Sequence, residues 1–343
     1  MRIAQVAPPW LAVPPKGYGG IEWVVALLSD ALVDAGHDVT LFATGDSQTK
    51  ATLEFAFEQA PGSKFINSTW HDTVHTLLAY RDPSRFDLYH VHSPWSALAT
   101  GAYSGRPVVH SLHWAFTPEM RRLYEPLADR AWFVAISEAQ RRHMEELRYA
   151  GVVYNGIDLD RYPLREDKED FLLFLGRSSP EKGVLRAVLA AREAGLPLVL
   201  ALKLAHPEEV RYWEEQVKPQ LASDALIYYE LGHEQKADLL GRAKAVLFPI
   251  DWEEPFGLVM TEAMACGTPV IATPRGSVPE VIADGETGFI VSPEEYPSQA
   301  AAALERVKEI DPRACRRRVE QKFSKEAMVA GYERAFETAL SST

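Results

Sequence analysis

Two glutamates, Glu254 and Glu262, sit in the most chemically suggestive stretch of the chain, FPIDWEEPFGLVMTEAMACGTPVI over 248–271. The pattern predicts a strand ending at Pro249, a polar loop carrying Asp251, Glu253 and Glu254, and a helix starting near Phe256 or Gly257. Glycine at such a start keeps no side chain between backbone and ligand. The unpaired amides of Gly257, Leu258 and Val259 would then form an anion site. Glu254 at the loop mouth and Glu262 on the second turn would flank it. Each carboxylate can accept two hydroxyl hydrogen bonds, which suits a ligand carrying both phosphate and vicinal hydroxyls. Taken singly, either would also suit a solvated charge.

A second stretch, FLLFLGRSSPEKG over 171–183, has a buried strand delivering Arg177 to its carboxyl end, with Lys182 where the next helix begins. Cations near a helix N-terminus oppose its dipole. The pair makes more sense with an anion between them, gripped by a guanidinium fork and an ammonium point charge. An ordinary surface pair is the alternative.

The elements that must position these residues alternate along the chain. Strands are expected at 2–7, 39–43, 86–91, 107–112 and 132–136, then at 171–175, 197–202, 226–229, 245–249, 269–272 and 288–291. Helical periods lie between them. In the first helix Ile21, Val25, Leu28 and Leu32 share a face, and Gly36 stops it. A last helix over 324–340 has Ser324 as N-cap and Met328, Tyr332 and Phe336 on one face. This α/β alternation predicts two doubly wound, Rossmann-like halves facing each other across a cleft. The divisions expected are 1–158, an exposed charged linker at 159–170, a second half at 171–323, and a helix at 324–343 returning to the first half.

Composition bounds the partners. The 343 residues carry 36 Lys+Arg against 48 Asp+Glu, a net charge of −12, with 47% hydrophobic and 24% charged residues. Intrinsic disorder is excluded. So is nucleic-acid binding driven by a basic face, which would have to displace counterions from phosphate. Any anionic ligand must be held by a small electropositive site within an acidic protein. Cys266 and Cys315 fit neither a disulfide framework nor zinc spacing and read as reduced thiols. No apolar run reaches membrane-spanning length, and the N-terminus lacks signal-peptide form, so a cytoplasmic protein is expected.

The motifs GRSSPEKG (176–183), EPFGLVMTEAMACGTPVIA (254–272) and NGID (155–158) together resemble the GT-B-fold retaining glycosyltransferases of family 4. PPKGYGGIEWVV near the start, FVAIS before the linker and the last helix extend the likeness over nearly the whole chain. PPKGYGGI and the short length resemble the small bacterial members acting on secondary metabolites, of the avilamycin-pathway kind. The resemblance implies that Glu262 binds the ribose hydroxyls of a nucleotide-sugar donor and Glu254 the sugar hydroxyls. Arg177 and Lys182 would hold the diphosphate with the amides of Gly257, Leu258 and Val259. Gly19 and Gly20 would close over the donor, His113 would be the active-site histidine, and Leu231 would line the base pocket. It implies transfer of a hexose, with UDP-glucose as first donor and GDP-mannose as second, to a hydroxyl acceptor with an α-linkage formed. No metal or other cofactor is expected, because the cations and helix terminus would stabilise the leaving phosphate. Asp158-Leu-Asp160 is the formal DxD match, read as exposed charge.

Pro255, Ser277 and Tyr229 depart from glycines common in the family, and Glu253 beside Glu254 leaves a register ambiguity that the spacing to Glu262 resolves toward Glu254. Trp114 and His92 are candidate acceptor contacts. Core packing is the alternative for Trp95, Trp114 and Phe116, and burial or capping for His90 and His92. Arg121-Arg122, Arg141-Arg142 and Arg316-Arg317-Arg318 read as solvated helix faces. A sugar-nucleotide epimerase or a phosphorylase could use the same architecture, although a phosphorylase needs a cofactor lysine that none of these motifs supplies. The absence of GxGxxG after the first strand disfavours an oxidoreductase. A non-catalytic nucleotide-sugar binder would keep Glu262 and Arg177 without needing Glu254 and His113.

Overall fold

Short aliphatic runs bounded by Gly and Pro become the strands of two separate parallel sheets. The computed structural model describes residues 1–341 except Tyr18, Pro94, Ala205 and Asp224, and gives only the backbone of Ser63. The chain divides into unit 1, Met1–Ile157 with Ser324–Thr343, and unit 2, Asp158–Phe323. Both are α/β, and together they make the GT-B fold.

Unit 1 holds β1 (Arg2–Val6), β2 (Asp38–Ala43), β3 (Thr52–Phe55), β4 (Leu88–Val91), β5 (Val108–Ser111), β6 (Trp132–Ala135) and β7 (Tyr149–Val152). Their order is β3-β2-β1-β4-β5-β6-β7. The described pairings are parallel, with Val6 level with Val91 and Val91 with His110. Strands β3 and β7 do not stand out in the sequence. TLEF sits half-exposed at one edge, and YAGV at the other is interrupted by glycine and a register shift against β6. Phe42, Tyr89, Leu98 and Phe133 fill the core. The last helix, Lys325–Ser341, is capped by Ser324, whose Oγ accepts from the Ala327 amide at 3.2 Å. Its Tyr332 hydroxyl lies 2.7 Å from Ser111 Oγ at the end of β5.

Unit 2 holds β8 (Leu172–Arg177), β9 (Leu198–Lys203), β10 (Leu226–Tyr229), β11 (Ala245–Phe248), β12 (Val270–Ala272) and β13 (Gly288–Ile290), in the order β10-β9-β8-β11-β12-β13. Chain order reverses between β8 and β11, which pair directly. Open α/β sheets bind ligands outside the carboxyl ends of strands at such a reversal. Both sequence motifs leave from those two ends.

Most of the charged stretch at 159–170 is exposed, as its composition suggests, but two of its residues are drawn into unit 2. Tyr162 is buried, and Lys168 donates to the carbonyls of Gly241 and Cys266 at 2.8 and 3.0 Å and to Thr268 Oγ1 at 2.8 Å. Desolvation lowers Lys168 to about 8. Of the basic run at 316–318, Arg317 is exposed, whereas Arg316 and Arg318 are only partly so. Arg316 Nη1 donates to the carbonyls of Tyr162 and Ala265 at 2.6 and 3.0 Å, and Arg318 Nε to that of Val281 at 2.6 Å. Long cationic side chains can lay their stems on apolar surface while satisfying the unpaired carbonyls at helix ends. Local polarity in the sequence does not reveal this.

Candidate active site

Three loops of unit 2 meet at the carboxyl ends of β8, β11 and β12. Gly183, with φ 75°, packs so closely that a Cβ would lie 2.0 Å from the Pro249 carbonyl oxygen. Gly276, with φ 54°, packs as tightly against Glu254: a Cβ there would lie 2.2 Å from its carbonyl oxygen. Hydrogen bonds fix the same arrangement. The Asp251 amide donates to the Glu181 carbonyl at 2.8 Å, the Ser277 amide to the Glu254 carbonyl at 3.0 Å, and Ser277 Oγ to the Phe256 carbonyl at 2.7 Å. Serine at the family's usual glycine position therefore fastens the loop.

The paired glutamates separate cleanly. Exposed Glu253 accepts from the Gly276 amide at 2.9 Å and serves the loop. Glu254 turns inward, its Oε2 accepting from Lys182 Nζ at 2.7 Å and Trp252 Nε1 at 3.1 Å. Lys182 also lies over the Trp252 ring, 4.2 Å from its centroid. Among the described residues Glu254 Oε1 takes no hydrogen bond. The helix Leu258–Ala265 begins after Gly257, and among the described residues the amides of Gly257, Leu258 and Val259 make no hydrogen bond. That leaves the open helix terminus anticipated from sequence.

Glu262, in this helix, is nearly buried. Its Oε1 accepts from the Tyr162 hydroxyl at 2.7 Å and from Lys236 Nζ at 2.6 Å. Burial and the Glu262 charge raise the Tyr162 phenol well above its ordinary range, so it stays protonated and donates. Leu231 follows β10, partly buried, after Glu230 at φ 53°, while the neighbouring Tyr229 is exposed.

Arg177 is already engaged by carboxylates. Its Nη1 donates to buried Glu209 at 2.9 Å and its Nη2 to Glu181 at 3.2 Å. It lines a cavity of about 530 Å³ with Ser179, Glu181, His206, Glu209 and Tyr212. Arg177 and Lys182 therefore do not form a bare electropositive pair, because each already faces carboxylate. Carboxylates from other elements (Glu209 and Glu254) were invisible to a reading of one motif at a time. Tyr162, Lys236, Glu209 and Trp252 were all missed as site residues. Tyr162 was hidden in the charged stretch, and only the DWEEP loop itself hinted at Trp252.

In unit 1 a histidine cluster lies at the carboxyl ends of β4 and β5. Gln140 donates from Nε2 to the carbonyls of Leu112 and Trp114, both at 3.0 Å, fixing the backbone on either side of His113. His113 Nε2 lies 2.9 Å from His92 Nδ1, and His92 Nε2 lies 2.9 Å from Gln5 Oε1. With Gln5 Oε1 as acceptor, His92 carries its proton on Nε2 and accepts from His113. Desolvation lowers His113 to about 3, which keeps it neutral at pH 7. Fully buried His92 is thus a support behind His113, not the acceptor contact suggested earlier. Trp114, half-buried with Trp95 and Phe116, packs on the core. Gly19 caps the helix Gly20–Asp34, and the space at its α-carbon is filled by Pro15 and Glu22.

Two doubly wound units, one with an open helix terminus beside two held glutamates, are what a glycosyltransferase of the GT-B fold would present. Residues 158–325 match the family description glycosyl transferases group 1, and residues 18–161 match glycosyltransferase family 4. The phosphatidyl-myo-inositol mannosyltransferase of Mycolicibacterium smegmatis is 30% identical over 340 residues, covering 89% of this chain and 84% of the relative. A glycogen synthase of Mycobacterium tuberculosis is 28% identical over 380 residues, covering 93% and 88%. The solved structure of AviGT4, a glycosyltransferase involved in avilamycin A biosynthesis, superposes with a TM-score of 0.76 at 27% identity, covering 100% of this chain and 98% of that one. The chain belongs to the group 1, family 4 glycosyltransferases. Among the described residues no helix is long and apolar enough to cross a membrane.

Proposed function

We propose that this protein transfers a hexose from a nucleoside-diphosphate sugar to a hydroxyl acceptor with retention at the anomeric carbon. One observation carries the reading: Lys182, Glu254, the free amides after Phe256 and Glu262 converge on the β8–β11 reversal. In this reading Glu262 Oε2 accepts the ribose hydroxyls, and Glu254 Oε1 accepts sugar hydroxyls. The β-phosphate meets the amides of Gly257, Leu258 and Val259. As the bond to the anomeric carbon breaks, negative charge grows on that phosphate. Lys182 and the helix terminus, already fixed in place, stabilise it without reorganising. Arg177 reaches the diphosphate by sharing its guanidinium between phosphate and Glu209. These cations do the work often given to a divalent ion, so the reaction needs no metal. His113 contacts the sugar, the acceptor is deprotonated by the departing phosphate on the same face, and Leu231 packs on the base.

UDP-glucose is the first donor to test and GDP-mannose the second; the relatives' names divide between mannosyl transfer and glycogen synthesis. The test is a binding screen of UDP-, GDP-, ADP- and dTDP-sugars with slow donor hydrolysis as readout, with and without EDTA. Hydrolysis of one donor class that survives EDTA is expected. Binding of none overturns the donor reading, and full loss in EDTA restored by Mn²⁺ overturns the metal-free one.

A further inference from the structure

Glu254 and Glu262 share a pattern that nothing in their sequence motif specifies. On each, a lysine and an aromatic donor converge on one carboxylate oxygen: Lys182 and Trp252 on Glu254 Oε2, Lys236 and Tyr162 on Glu262 Oε1. On each, the other oxygen takes no hydrogen bond among the described residues. The terminal torsion of a glutamate is broad and soft. Two donors on one oxygen remove that freedom before any ligand arrives, so less ordering remains to oppose binding.

We infer that Tyr162 and Lys236 are positioning residues that hold Glu262 with Oε2 presented to a vicinal diol, and that they set a preference for ribonucleotides over forms lacking the diol. The inference rests on the donor reading above. Oε1 already accepts two hydrogen bonds, so an incoming diol is directed to Oε2, whose lone pairs match two hydroxyls. Tyr162 is itself fixed. Arg316 donates to its carbonyl at 2.6 Å, and its ring meets His233 edge-on with centroids 4.9 Å apart. Lys236 stands on the helix His233–Arg242 with its side chain 21% exposed, so removing its charge leaves the core intact. The clamp also joins two parts of unit 2 far apart in sequence, the segment following Asp158 and the helix after β10, at one carboxylate.

The test measures affinities of wild type, Tyr162→Phe and Lys236→Met for UDP, GDP and ADP, each beside its 2′,3′-dideoxy counterpart. Wild type should favour the ribo form of whichever base it binds. Each variant should narrow that preference by about tenfold, the worth of one hydrogen bond to a charged group, while affinity for the dideoxy form stays unchanged. Phenylalanine keeps the buried ring, and the Lys236 variant gives an independent reading should Tyr162→Phe fold poorly. Equal loss for ribo and dideoxy forms in the variants would mark Tyr162 and Lys236 as merely structural and overturn the clamp. An unchanged ribo preference would overturn it too, with the donor reading intact. A wild type that binds none of the nucleotides, or shows no ribo preference, overturns both.

Discussion

Lys182 plays two parts that mutation can separate. In the structure it neutralises Glu254 at 2.7 Å, both side chains being largely buried at 17% and 12% exposed. In the proposed reaction it also meets the growing charge on the leaving phosphate. Lys182→Ala should slow donor turnover by about 10²-fold, partly because Glu254 is left as a largely buried charge without its counter-ion. Glu254→Gln removes that secondary penalty. The double variant should therefore be faster than the product of the single effects, and multiplicative losses in kcat would show that the two act independently. Glu262→Ala should instead weaken nucleotide binding by about tenfold or more, read by calorimetry with the bare nucleotide. Glu254→Ala should leave that affinity nearly unchanged, and a Glu254 variant with wild-type turnover would remove it from the site. Glu254 and Glu262 can be singled out in the sequence because one local stretch carries both, and Lys182 because a second stretch ends where a helix begins. The Tyr162–Glu262 hydrogen bond spans 100 residues of sequence. No period or motif links its ends, and only the folded chain brings them together.

Among the elements, the strands of β-branched and aliphatic residues were legible nearly to their ends, since a parallel strand covered on both faces must be apolar throughout. The edge strands β3 and β7 were not, because half-exposed edges relax that demand. The loops were legible as loops but not in their mutual packing. Gly276 shows why this matters: its missing Cβ lets the loop after β12 lie against the backbone of Glu254. Gly276→Ala should push that loop off Glu254 and lose the Glu253 and Ser277 ties at once. The expected cost is about 1–3 kcal/mol, seen as a lower urea midpoint, with a further fall in kcat/KM for the donor. A variant with both unchanged would mean that the loop adjusts freely, contrary to the tight approach. The stretch at 159–170 teaches the converse. Its charges suggest solvent and most of its residues are exposed, yet Lys168 and Tyr162 are used inside unit 2.

Across the whole molecule, net charge says little about the candidate site, because its cations Arg177 and Lys182 are each locally paired with carboxylate. The same acidic chain distributes its titratable burial unevenly, and that has a consequence for stability. In unit 1, burial lowers His75 to about 4, His110 and His113 to about 3, and His90 and His92 well below their ordinary value. In unit 2, among the described residues, half-buried His233 is the histidine so shifted. A buried imidazole stays neutral in the folded state but takes a proton in the unfolded chain below about pH 6.5. Its contribution is therefore complete above that pH and is lost as pH falls toward the lowered folded value. The slope approaches about 1.4 kcal/mol per pH unit for each group. The lowered carboxylates, such as Asp251 and Asp87, act only below their own ordinary range, nearer pH 4. Between pH 6.5 and 5 the histidines dominate, and most of them belong to unit 1. Urea unfolding followed by pulse proteolysis with fragment mapping should show β4 and β5 becoming cleavable at clearly lower urea at pH 5.5 than at pH 7. Fragments from β8 and β11 should shift much less, and nucleotide at saturating concentration should protect them by mass action. Equal shifts in both units, or an earlier loss in unit 2, would mean that the buried histidines of unit 1 do not govern its acid stability.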